Sequence, residues 1–145
     1  MFFKPHGKYS ARIINDHILF CTISNPWNLE MLREMLHVSS PLVKELDRKG
    51  SWICVVHIDN SLTTCVNVLE AIRNLISQKR GLDNMLAVAW AINPSVEGYC
   101  ILRYKYEQVF EGLLPYTIVD TVEDAVRWSE KRLTTTKNDI HLAVA

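Results

Sequence analysis

The chain has 145 residues, 48% of them hydrophobic, with basic and acidic side chains balanced at 16 each. That length supports a full core in one domain and falls short of two. A formal net charge of zero leaves no field to draw the protein onto nucleic acid or an anionic membrane, so neither is expected as a partner.

The four cysteines, Cys21, Cys54, Cys65 and Cys100, have no CxxC spacing, and each stands in an apolar segment as a small hydrophobe would. They point to free thiols in a reducing cytoplasm. The opening MFFKPHGK is too short an apolar run for a signal peptide, and no run approaches the roughly 18 residues of a membrane span.

Tyr9 to Ile14 and Ile18 to Ser24 are β-rich runs separated by the turn formers Asn15-Asp16-His17, which predicts an antiparallel hairpin. Asn25-Pro26-Trp27 follows, with Asn25 as a helix cap and Pro26 in a first turn that needs no amide donor. The helix runs through Leu29, Leu32, Met35 and Leu36. Pro41 should kink it, or force a restart capped by Ser40, before Leu42, Val43 and Leu46 continue the apolar face to a stop at Arg48-Lys49-Gly50.

Trp52 to Ile58 is apolar on both faces, as a strand inside a sheet is. Leu62, Cys65, Leu69, Ile72 and Ile76 then form one helical stripe, closed by Lys79-Arg80-Gly81. Met85 to Ile92 alternates large residues with Ala87, Ala89 and Ala91, so one of its faces admits a helix at close range. Asn93-Pro94 should start a third helix, buried through Val96, Tyr99, Leu102, Tyr106, Phe110 and Leu113, with Arg103-Tyr104-Lys105 on its solvated side. Tyr116 to Val119 is a short last strand, and Thr121 with Asp124 starts a fourth helix buried through Val122, Ala125, Val126, Ser129 and Leu133.

The predicted order is ββαβαβαβα: an α/β domain over residues 1–133 with a mostly parallel five-stranded sheet, an antiparallel first strand and four main helices. Residues 134–145 are expected as a C-terminal tail, frayed or docked. Sequential crossovers of one hand put most helices on one face, yet both central strands are apolar on two. A crossing helix, the termini or a second copy in a homodimer must cover the other face.

The hairpin followed by Asn25-Pro26-Trp27-Asn28, the run Ala87-Val88-Ala89-Trp90 with Val96-Glu97-Gly98, and Phe110-Glu111-Gly112-Leu113-Leu114-Pro115 resemble the SpoIIAA-like (STAS-like) fold, in particular a set of small uncharacterised bacterial STAS-like proteins. The likeness spans Tyr9 to about Leu133. It implies a non-enzymatic regulatory or protein-interaction module like the anti-sigma factor antagonists, with a protein partner. Related folds also carry lipids, which implies a carrier or sensor of a small apolar, lipid-like ligand as the alternative. The antagonists hold a phosphorylatable serine in an Asp-Ser-Ser/Thr-Gly turn; the matching turn here is Asp59-Asn60-Ser61-Leu62-Thr63-Thr64, without the directly paired hydroxyls or the glycine.

Asp59, Asn60, Ser61, Thr63 and Thr64 are therefore the candidate modification or partner-contact turn, and simple helix capping is the competing use of the same side chains. Trp27, Met31 and Met35 are candidates for a ligand or docking surface, or for ordinary core. His57 and Asp59 invite an acid–base pairing, but no nucleophile has a fixed spacing to them, and a buried, hydrogen-bonded histidine is the preferred account of His57. No HExxH, helical histidine pair or glycine-rich phosphate loop is present, so no metal, cofactor or catalytic residue is expected.

Overall fold

A computed structural model describes residues 7–78 and 84–144. The strands and helices are β1 (Lys8–Ile14), β2 (Ile18–Ser24), α1 (Leu29–Lys49), β3 (Trp52–Ile58), α2 (Val66–Ser77), β4 (Met85–Ile92), α3 (Tyr99–Phe110), β5 (Tyr116–Val119) and α4 (Val122–Val144). They form an α/β domain whose single five-stranded sheet has the order β1-β2-β3-β4-β5, with β1 antiparallel to β2 and every other pair parallel. The hairpin turn places Asn15 and Asp16 at φ of 50° and 63°, the left-handed region that these two side chains tolerate.

Each crossover advances one strand in the same direction, so α1, α2 and α3 share a face. There Trp52, Val56 and Ile58 of β3 and Val88, Trp90 and Ile92 of β4 join Leu32, Leu46, Val68 and Phe110 in the main core. The opposite face is covered by α4, whose Ala125 and Leu133 pack on Ile53, Val55, Ala87, Ala89 and Ala91. The alanines of β4 admit the helix, and the fully buried Ser129 satisfies its hydroxyl by donating to the Ala125 carbonyl at 2.8 Å. The second apolar face was the reason to expect a homodimer; a helix of the same chain meets that need.

Four local expectations are corrected. Asn28, not Asn25, caps α1, its Oδ1 accepting from Met31 N at 2.9 Å, and the Asn25–Pro26 peptide is cis. Of the two outcomes expected at Pro41, a kink or a restart, the restart at Ser40 does not occur, because α1 is one element through that residue. Helix α2 starts at Val66, four residues later than its stripe suggests, so Leu62 is buried before the helix and Cys65 is an exposed N-cap. Asn93 builds a turn, its Oδ1 accepting from Ser95 N (2.9 Å) and Ser95 Oγ (2.7 Å), and Gly98 caps α3. At the end of the chain, α4 continues to Val144 through most of the segment expected as a tail. The Lys79-Arg80-Gly81 stop lies outside the described residues.

Candidate functional site

The carboxyl edge of the sheet gathers the loops after β2, β3 and β4, and hydrogen bonds stitch the three together. Ser24 Oγ donates to Asp59 Oδ1 at 3.0 Å. Asn25 and Asn60 pair reciprocally: Asn60 Oδ1 accepts from Asn25 N (3.0 Å) while Asn60 Nδ2 donates to the Asn25 carbonyl (2.7 Å). This clasp keeps Asn25 extended beside the end of β3, which is why it cannot turn into a helix cap. Its own buried side chain donates to the Ser61 carbonyl at 2.7 Å.

Ser61 in turn bridges Glu97 as a short parallel pair, with Leu62 N donating to the Glu97 carbonyl (2.8 Å) and Glu97 N to the Asn60 carbonyl (3.3 Å). Tyr106 of α3 donates from its hydroxyl to the Leu62 carbonyl at 2.7 Å, and burial pushes that phenol well above its ordinary pKa. Thr64 Oγ1 accepts from Trp27 N (3.2 Å) and donates to the Trp27 carbonyl (3.3 Å).

The candidate turn is thus a structural joint. Ser61 is buried and its Oγ accepts from Thr63 N at 3.0 Å, while Thr64 is half-buried and engaged. Asp59, Asn60 and Thr63 are exposed, and of the three hydroxyls only that of Thr63 stands out to solvent. None of the predicted capping oxygens caps α2, whose N-cap has no side-chain bond. His57 lies half-buried on the α4 face, while Asp59 binds Ser24, so no acid–base pair assembles. Among the described residues no group of three or more His, Cys, Asp or Glu could hold a metal.

Trp27, Met31 and Met35 separate in role. All three pack in or against the main core; Trp27 and Met35 also line a cavity of about 140 Å³ between the sheet and helices α1 and α2, which Met31 does not reach. The remaining wall comes mainly from Leu19, Val56, Ile72, Leu75, Val88 and Phe110. Among the described residues no charged side chain contributes to it. Its polar groups are few and specific. The Tyr9 hydroxyl contacts Ser39 Oγ (2.5 Å) and Cys21 Sγ (3.2 Å), and Cys21 Sγ lies 4.0 Å from Cys54 Sγ. Burial raises the Tyr9 phenol far above its usual range, and the Cys21 contact, with burial, raises the Cys54 thiol.

Trp27 and Trp90, lining residues only 2% and 3% exposed, have indole nitrogens that are shut off from solvent and find no hydrogen-bond partner among the described residues. A buried donor left unsatisfied costs about 1–3 kcal/mol, and cores seldom keep two. Tyr9 packs edge-on to Trp27 with centroids 5.9 Å apart, and Tyr106 edge-on to Trp90 at 5.3 Å. Ring contacts of that kind are second-order beside an oxygen acceptor.

Sequence reasoning missed Tyr9, Ser39, Cys54 and Trp90 as a group. One signal was present: Met35, Ser39 and Val43 recur every fourth residue on α1, so a hydroxyl stands in an apolar row. A second cleft, about 340 Å³, separates α2 from α3, but its Arg73 is occupied, donating from Nη1 to the carbonyls of Gln108 (2.7 Å), Glu111 (3.0 Å) and Val109 (3.2 Å) at the end of α3. No family model matches this chain, and neither does any curated protein or solved structure.

Proposed function

We propose that this protein is a non-enzymatic binding module, a carrier or sensor that takes a small apolar ligand into the cavity beneath Trp27 and Trp90. The observation that carries the reading is an apolar cavity of about 140 Å³, lined by Trp27, Met35 and Trp90 and, among the described residues, by no charged side chain. Pockets of this kind, mostly apolar with a few placed polar groups, are how proteins hold small molecules. The strand order, with one antiparallel edge, supports the SpoIIAA-like resemblance as the structural setting. Four free thiols support a cytoplasmic location.

Native mass spectrometry of gently purified protein tests this reading. A bound species should appear and be absent from Val56→Phe, which fills the cavity from a buried wall position. Protein that is uniformly empty, with no small apolar compound raising its thermal midpoint, would overturn it.

A second reading, a regulatory module that meets a protein partner through the Asp59 to Thr64 turn, is favoured by the exposure of Thr63 beside two exposed polar residues. It requires that Thr63, rather than the buried Ser61, carries any phosphate. Intact-mass analysis of host-derived protein, with Thr63→Ala as control, decides it: an unmodified chain that keeps its partners after the substitution removes the turn's role.

A further inference from the structure

We propose that Cys21 and Cys54 form a binding site for one soft monovalent metal ion, Cu(I), held between their two sulfurs. The site goes beyond the apolar-ligand reading and does not rest on it.

Geometry is the first argument. The two Sγ atoms lie 4.0 Å apart, on the main-core face of the adjacent parallel strands β2 and β3. They are not partners across the ladder, because Cys21 stands opposite Val56 and Cys54 opposite Leu19. An offset of two residues at about 3.3 Å each, across strands about 4.8 Å apart, puts the two Cα atoms about 8 Å from each other. A disulfide does not close over more than about 7 Å unless the backbone moves. A bridging ion needs no such closure. With a thiolate–metal bond of about 2.3 Å, an ion bonded to both sulfurs at their present separation makes a sulfur–ion–sulfur angle of about 120°, and a linear arrangement needs about 0.6 Å more. Cu(I) takes two or three soft ligands and suits either.

Ligand chemistry is the second argument. Half of the chain's four cysteines and four methionines line this one cavity, Met35 and Met85 together with the thiol pair. Thiolates and thioethers select Cu(I), whereas zinc asks for four ligands and Cu(II) for a tetragonal set of nitrogen and oxygen. Among the described residues no His, Asp or Glu makes a third ligand with the pair. Cys54 keeps accessible surface although β3 has a strand on either side, and it lines the cavity. Binding releases both thiol protons to the solution and leaves one net negative charge on the two thiolates and the ion. The Tyr9 hydroxyl, 3.2 Å from Cys21 Sγ, is placed to donate to that thiolate.

Anaerobic titration of the reduced full-length protein with Cu(I), against bicinchoninate as competitor, tests the site. A Cys65→Ser, Cys100→Ser double variant, which lacks the two exposed thiols, should retain one ion per chain and show sulfur ligands in its X-ray absorption fine structure. Adding Cys21→Ser or Cys54→Ser should release the ion to the competitor. Adding Tyr9→Phe should weaken binding about tenfold, the scale on which a hydrogen bond to a metal ligand acts. Metal-free protein treated with hydrogen peroxide should not show the mass loss of a Cys21–Cys54 disulfide. If a serine at either position prevents folding, the fine structure of the double variant decides, and nitrogen or oxygen ligands alone overturn the assignment. No retained Cu(I), retention that survives both serine substitutions, or ready closure of the disulfide also overturns it. The apolar-ligand reading is unaffected by any of these results, because native mass spectrometry tests it separately.

Discussion

Replacing Tyr106 by Phe deletes one hydroxyl and nothing else, and the structure sets the size of the effect. The oxygen lies 2.7 Å from the Leu62 carbonyl, and the residues at the two ends are 3% and 1% exposed. Phe keeps the ring packed on Trp90, so no cavity opens; the loss is the bond, and the carbonyl stays buried without it. Water cannot reach so enclosed a group, which places the cost in the upper part of the range for an orphaned acceptor, about 2 kcal/mol. For a chain of this length that is a fall in Tm of about 6 °C. Urea unfolding should show a lower midpoint at unchanged slope, and amide exchange should quicken through residues 60–65, because the hydroxyl pins that turn to α3. A loss below about 0.5 kcal/mol with exchange unchanged would refute the claim that Tyr106 holds the turn.

Three other outcomes are expected. Burial raises the phenols of Tyr106 and Tyr9 above their unfolded value of 10.0, so the stability they contribute is complete below about pH 10 and is lost as pH rises toward their folded values. Each should steepen alkaline destabilisation by about 1.4 kcal/mol per pH unit, and Tyr106→Phe should remove one such contribution; a slope identical in the variant contradicts this. Ala89→Leu forces a larger side chain between β4 and α4 at a position with no exposure, and should cost about 1–3 kcal/mol in denaturant unfolding; an unchanged midpoint would mean α4 does not pack there. Gly7→Ala puts a Cβ 2.7 Å from Trp27 Cδ1 and 2.8 Å from the Pro26 carbonyl at a φ of +88°, so it should lower stability by roughly 1–3 kcal/mol and shift tryptophan emission, and wild-type behaviour in both would argue against that close approach.

Wherever hydrophobic period and turn chemistry agree, the elements were legible. Trp52–Ile58, Met85–Ile92 and Tyr116–Val119 have the boundaries their apolar runs suggest, and the alanines of β4 correctly foretold a helix at close range. Boundaries failed at Asn25, Ser61 and Asn93, where a residue suited to capping has a stronger use. Each of these side chains bonds a loop beside or near it, and a local rule sees the preference for a cap without seeing the competing partner.

Strand order, two-faced burial and the single antiparallel edge follow from patterns that are local in the chain, because period and crossover length constrain which strands can be neighbours. The cavity does not. Tyr9, Ser39, Cys54 and Trp90 are far apart in sequence and meet only through packing. Whether a buried indole finds an acceptor depends on what lies a few ångströms away in the folded core. The Asp59 to Thr64 turn reverses its meaning for the same reason: its composition suggests a modifiable surface, and only the neighbouring loops and Tyr106 bury Ser61 and make the turn a joint.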